Sequence, residues 1–211
     1  MKNKQQHWAK ASFALLIFVI RFYPQQLTGF DSTIQSAIRG DLPATLTAFF
    51  TKVTHVMDTK IIVIWVGLLL AVFAYKKWYS EALFLGSNLV LTGLLVLLLK
   101  NIYQRPRPSI LHLVEEKGFS FPSGHSLAST LVLGSLIIII SQHVKHKTAR
   151  YCLQGLLVLG IVTIVVSRVY VGVHYPSDVL GSMILGLAVL QFEYPLYDRL
   201  RFQWRFTGKQ K

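Results

Sequence analysis

Ser167-Arg168-Val169-Tyr170-Val171-Gly172-Val173-His174-Tyr175-Pro176-Ser177-Asp178 lies between two apolar runs, 156–166 and 179–190, each able to sit inside a bilayer. Charge is costly at membrane depth, so an arginine, a histidine and an aspartate held there signal function by default. Together they are also the groups needed to hold an anion, attack it and steady the attacker.

Working outward, the composition agrees with a membrane setting. Of the 211 residues, 53% are hydrophobic and only 15% are charged, against about 25% charged in soluble domains. The length suits one domain, 1–211, with the candidate motifs inside 100–178. The formal charge is +13. Nucleic-acid binding would need a soluble basic face, and none is offered, so no nucleic-acid partner is expected. The single cysteine, Cys152, opens an apolar run and excludes an intramolecular disulfide.

The chain reads as an all-α polytopic protein with six transmembrane helices. After a basic start comes a first span at 11–23, uncleaved because no small-residue cleavage pattern follows, with Arg21 snorkelling to the far interface. Residues 25–58 are mixed. Phe30, Ile34, Ala37 and Ile38 share helical spacing, as do Leu46, Phe49, Phe50 and Val53, and Gly40-Asp41-Leu42-Pro43 separates them. They read as short amphipathic helices at the interface, or alternatively as a structured loop. Further spans follow at 61–75, 82–99, 123–141, 151–170 and 176–194, near the roughly 20 residues a bilayer requires. Gly86, Ser87, Asn88 and Gly93 give the third a face suited to close helix contact. The basic, aromatic tail 198–211 reads as a surface-lying cytoplasmic segment.

An even number of spans puts both termini on one side. That side holds 13 of the 22 basic residues, and the other nine lie on the opposite side, partly balanced there by six acidic residues. The positive-inside rule makes the termini cytoplasmic. The loop 100–122 and the loop around His174 then share the outer face.

On that face Lys100, Arg107 and Arg168 suit a multiply charged oxyanion, and phosphate is the biological default. Pro122-Ser123-Gly124 opens a helix whose free N–H groups favour an anion. His174 falls near a helix cap with Asp178 in the first turn, where the carboxylate can fix the imidazole tautomer and free the other nitrogen to attack. His125 has no carboxylate at short spacing and suits proton donation to a leaving group. His7, His143 and His146 fall in cytoplasmic, solvated segments. His55 and His112 are on the outer side without evident partners. Arg105 stays open between phosphate ligand, headgroup contact and solvated charge. A hard-cation site needs clustered carboxylates, and three cations would repel zinc from a His–His–Asp set. Neither metal nor cofactor is expected.

Lys100, six intervening residues and Arg107-Pro108, then Pro122-Ser123-Gly124-His125, then Ser167-Arg168, five intervening residues, His174, three intervening residues and Asp178, form three ordered motifs. They resemble those of the type 2 phosphatidic acid phosphatase superfamily, membrane lipid phosphatases related to vanadium haloperoxidases and glucose-6-phosphatase. The look is similar to its small bacterial branch, phosphatidylglycerophosphatase B and undecaprenyl-diphosphate phosphatases. The resemblance implies a metal-independent reaction. His174 would form a phosphohistidine, oriented by Asp178. His125 would protonate the leaving lipid oxygen and then activate water. Lys100, Arg107, Ser123, Gly124 and Arg168 would hold the phosphoryl oxygens. It also implies a lipid phosphate or diphosphate substrate (phosphatidylglycerophosphate, undecaprenyl diphosphate or phosphatidic acid) and a bacterial cell-membrane location with the site outside. No obligatory protein partner is expected. A phosphotransferase is the alternative. A transporter would need polar residues deep in the bundle, where 137–140 and 187–190 are apolar.

Overall fold

The computed structural model describes residues 24–210, and these are helical with no strand among them. After a 3₁₀ turn at Pro24–Leu27 come α1 (Thr28–Arg39), α2 (Ala44–Thr54), a 3₁₀ turn at His55–Met57, α3 (Thr59–Tyr75), α4 (Tyr79–Tyr103), α5 (Gly124–His143), α6 (Lys147–Tyr170) and α7 (Pro176–Phe206). Helices α4 to α7 are each long and apolar enough to cross a membrane. Helix α3 has 17 residues, about 25 Å of helix, which is short of the roughly 30 Å hydrocarbon core. It meets α2 at a 55° bend, and the bent pair can serve as one broken span. The span expected at 11–23, with Arg21, lies outside the described residues.

Helix α5 is central and packs against α4, α6 and α7. It carries Leu127, Leu131 and Val132 into a core shared with Phe84 and Leu85 of α4, Val66 of α3 and Leu185 of α7. The close helix contact is made at glycines other than those expected. A Cβ on Gly186 of α7 would lie 2.7 Å from Thr130 of α5. On α4, a Cβ on Gly93 would meet nothing within 4 Å, and one on Gly86 would make only ordinary contact with Leu70. The crowded crossing is therefore α5 with α7.

Three further expectations change. Helix α1 buries its polar stripe, Asp31, Gln35 and Arg39, and leaves Phe30 exposed. The polar stripe has partners inside, as described below, and of the apolar residues Ile38 packs against the cluster of Ile161, Val165, Val169 and Val179. The tail is the end of α7, which continues through Pro195 to Phe206 and then folds back. Gln210 there accepts a hydrogen bond from the Ser80 amide and donates to Ser80 Oγ, both at 2.8 Å, satisfying part of the first turn of α4. His143 is not solvated: Nε2 lies 2.8 Å from the buried Glu81 carboxylate, which Arg201 also reaches, and its ring stacks on Trp78. His146 caps α6 by accepting from the Ala149 amide.

Candidate active site

The three motifs meet at one end of the bundle. They come from the C-terminal ends of α4 and α6, the N-terminal ends of α5 and α7, and the loop 104–123. Helix α6 ends in a turn at Val171–Gly172, where Gly172 has φ +85°. A Cβ there would be strained by that φ and would collide with the Arg39 guanidinium and the Leu111 carbonyl. Arg39 donates to that carbonyl at 2.8 Å, and the Leu113 amide donates to Val171 O at 2.9 Å. The turn is thus pinned to the long loop and to α1, and it delivers His174 two residues later.

Tyr175 is the N-cap of α7 and Asp178 lies in its first turn, accepting from the Tyr175 amide at 3.1 Å. Asp178 Oδ2 comes to 3.8 Å from His174 Nδ1. The hydroxyl of Ser120 donates to Asp178 Oδ2 and lies 3.4 Å from His174 Nδ1. Nδ1 therefore faces the carboxylate and the serine, which leaves Nε2 as the open nitrogen. His174 is 2% exposed. Burial pushes its pKa down to about 4, with Arg168 and Arg107 acting the same way and Asp178 opposing. The imidazole is neutral near pH 7.

The cations are placed differently from one another. Arg168, 1% exposed, donates to Thr54 Oγ1 at 2.6 Å and to the Glu116 carboxylate, while its buried Nε has no partner among the described residues. Arg107 is wrapped by carbonyls of Gly118, Lys117 and Val173 at 2.8–3.1 Å and lies 3.5 Å from Glu116. Lys100, half-buried at the end of α4, is within electrostatic reach of Arg107, Arg168, Glu116 and Asp178. Ser123 caps α5, accepting from the Ser126 amide, and is completely buried, with its own amide donating to Ser182 Oγ at 2.8 Å. Gly124 begins α5 beside Val96. His125 Nε2 lies 3.0 Å from Asp58 Oδ1, a carboxylate 67 residues away.

A sequence profile of the PAP2 superfamily matches residues 81–202. The chain belongs to the PAP2 superfamily. It is 34% identical to phosphatidylglycerophosphatase B of Bacillus subtilis, over 67% of this chain and 70% of that one. It is 29% identical to undecaprenyl-diphosphatase BcrC of the same organism, over 66% of this chain and 71% of that one. Its fold is similar to the crystal structure of a transmembrane PAP2 type phosphatidylglycerolphosphate phosphatase from Bacillus subtilis, with TM-score 0.81 and 25% identity over 92% of this chain and 96% of that chain. Aquifex aeolicus LpxE shares the fold, with TM-score 0.59 and 22% identity over 75% of this chain and 92% of that chain. The chain is a multi-pass, all-helical membrane protein of this family.

The three PAP2 motifs omit several residues that the fold brings to the site. Arg105 is the first: it donates to Asp178 Oδ1 at 2.5 Å, to Ser177 Oγ at 2.8 Å and to Asp31 Oδ2 at 2.9 Å. Asp31 in turn accepts from the Ser177 amide and hydroxyl. Arg105 is thus neither solvated nor at a headgroup. It is a buried bridge between α1 and α7, and the Tyr175 ring lies under its guanidinium. Glu116 is the second. Burial alone would raise its pKa, but Arg168, His125 and Arg107 outweigh that and hold it below the ordinary value. It is the chain's own anion lying between two guanidinium groups. Ser120 and Thr54 complete the set. His55 has a partner after all, its Nδ1 lying 2.7 Å from Asp58 Oδ2. His112 Nε2 instead meets the Pro108 carbonyl at 2.8 Å. The buried stripe of α1 was the available signal for Asp31, since a carboxylate four residues from Gln35 and eight from Arg39 marks a polar face with something to bind.

Proposed function

We propose that the chain, acting as one catalytic unit, hydrolyses phosphate from a membrane lipid phosphate or diphosphate through a phosphohistidine. The observation that carries this reading is His174: a buried, neutral imidazole with Nδ1 turned to Asp178 and Ser120, and with Arg168 and Arg107 acting on it. Nε2 attacks phosphorus, the bond from phosphorus to the lipid oxygen breaks, and that oxygen leaves with the electron pair and a proton from His125. Water then attacks the phosphohistidine while His125 takes its proton, the P–N bond breaks, and inorganic phosphate leaves. Lys100, Arg107 and Arg168 hold the phosphoryl oxygens, with Ser123 and Gly124 presenting the positive end of α5. The unpartnered Arg168 Nε supports an anion there. Neither metal nor cofactor takes part. The basic residues near the opposite end, from Lys76 to Lys77 and from Lys145 to Arg150, favour an outward-facing site in a bacterial cell membrane with cytoplasmic termini.

The names of the relatives set the substrate panel. Protein purified in detergent is supplied with phosphatidylglycerophosphate, undecaprenyl diphosphate, phosphatidic acid or a soluble monophosphate, and free phosphate is measured. Release without an added acceptor, faster on at least one lipid than on the soluble ester, is expected. Strong chelation leaves it intact, and His174→Ala removes it. Full release by His174→Ala would overturn the mechanism. Dependence on an alcohol acceptor would make the chain a phosphotransferase instead.

A further inference from the structure

Asp58 occupies the break between α2 and α3, at the N-cap position of α3. An aspartate at an N-cap ordinarily accepts hydrogen bonds from the first free amides of its helix. Here the side chain makes no capping bond. Both oxygens are turned to histidines: Oδ1 to His125 Nε2 at 3.0 Å and Oδ2 to His55 Nδ1 at 2.7 Å. An ionised carboxylate only accepts, so each of these ring nitrogens carries its hydrogen. That fixes the neutral His125 as the Nε2–H tautomer and leaves Nδ1 to exchange protons.

We infer that Asp58 is the positioning residue of His125: its carboxylate accepts from Nε2–H in both protonation states, so that Nδ1, protonated in the imidazolium, passes its proton to the departing lipid oxygen and is left as the bare base. The bend between α2 and α3 is what brings the carboxylate there, since a straight helix would carry residue 58 past α5. His55 holds the second oxygen of Asp58. The side chains of His55 and Asp58 are 52% and 41% exposed, against 13% for His125. The pair therefore leaves one side of a part-buried proton donor open to solvent, the source of the water whose proton His125 takes in the second step. The inference rests on the proposed role of His125.

The test exploits the leaving group. An alkoxide needs a proton as it departs, whereas p-nitrophenolate does not, and kcat/KM reports events up to that departure. For Asp58→Asn we expect kcat/KM on a lipid alkyl phosphate to fall about 10–100-fold, with a fall below about threefold on a p-nitrophenyl phosphate ester. His55→Gln, which keeps the carboxylate, should repeat the pattern at about fivefold or less. The double variant His125→Ala/Asp58→Asn should be no slower than His125→Ala alone. Equal losses on both esters would assign Asp58 a purely structural role and overturn the inference, as would an unchanged rate on the alkyl ester. His125→Ala separates the two levels. If it shows no preference for the activated ester, the role of His125 itself is wrong. If it does and Asp58→Asn does not, only the inference fails.

Discussion

His174 and His125 each face an aspartate, and the two pairs are built in opposite ways. His174 and Asp178 are four residues apart on one turn, and both are buried. Asp178 is braced by Arg105, Ser120 and the Tyr175 amide, and Arg105 by Asp31. His125 and Asp58 are 67 residues apart, and the carboxylate is half-open to solvent with only His55 behind it. The difference matches the two proposed tasks. An attacking imidazole must stay neutral and still, and burial achieves both. A group that gives and regains a proton in every cycle needs a route to water.

The comparison can be broken at its rigid half first. His174→Ala should lower kcat/KM by about 10⁴-fold or more, while the protein still elutes from a sizing column in detergent as the parent does. A smaller loss would mean that another group can attack. Arg105→Ala leaves Asp31 and Asp178 buried without their counter-charge. It should cost about 3–5 kcal/mol of stability, read from thermal unfolding in detergent, with activity lost alongside. An unaltered unfolding temperature would show that the brace is dispensable.

Acidity probes the rigid half as well. His174 titrates at about 4 in the fold against 6.5 unfolded. Between those values the unfolded chain binds the extra proton and the native one does not, so stability should fall as pH drops from 6.5 toward 4. The acid limb of kcat/KM should sit near 4 for the same reason, and a limb near 6.5 would contradict the neutral buried imidazole. The mildest change is Glu116→Gln. It removes the internal anion between Arg168 and Arg107, and inhibition by inorganic phosphate should strengthen by about fivefold, of the order of 1 kcal/mol. Weaker inhibition would make Glu116 a support for the arginines rather than a competitor of phosphate.

The apolar spans and the three motifs were legible because each is a local pattern. Helices α4 to α7 follow runs without charge, and the offset between His174 and Asp178 is itself the geometry of a helical first turn. The bracing set was not legible, because its partners lie far apart. Asp31 meets Arg105 across 74 residues and Thr54 meets Arg168 across 114. In the sequence these carboxylates looked like charge balance on an outer loop. In the fold, four of the six acidic residues assigned to that face (Asp31, Asp58, Glu116 and Asp178) bind cations or histidines of the site. Residues 25–58, whose role composition left open, supply four of the groups: Asp31, Thr54, His55 and Asp58. Of the small residues on α4, Asn88 is fully buried and Ser87 reaches Glu193 of α7, but Gly93 meets nothing within 4 Å. Spacing alone did not say which side of the helix meets a neighbour.

Gly172 has a consequence for anyone mapping this protein by mutational scanning. The backbone turn there leaves no room for a methyl group, because the Arg39 side chain and the Leu111 carbonyl already fill it. Alanine at 172 would displace His174 without touching any group that reacts, and a scan scored on turnover would count it among the chemical residues. The false positive can be recognised by its substrate profile. Gly172→Ala should slow alkyl and nitrophenyl esters alike, whereas losing a proton donor should not. Libraries meant to change lipid preference are better spent on the lipid-facing positions around Gly93, where an added methyl group meets no neighbour.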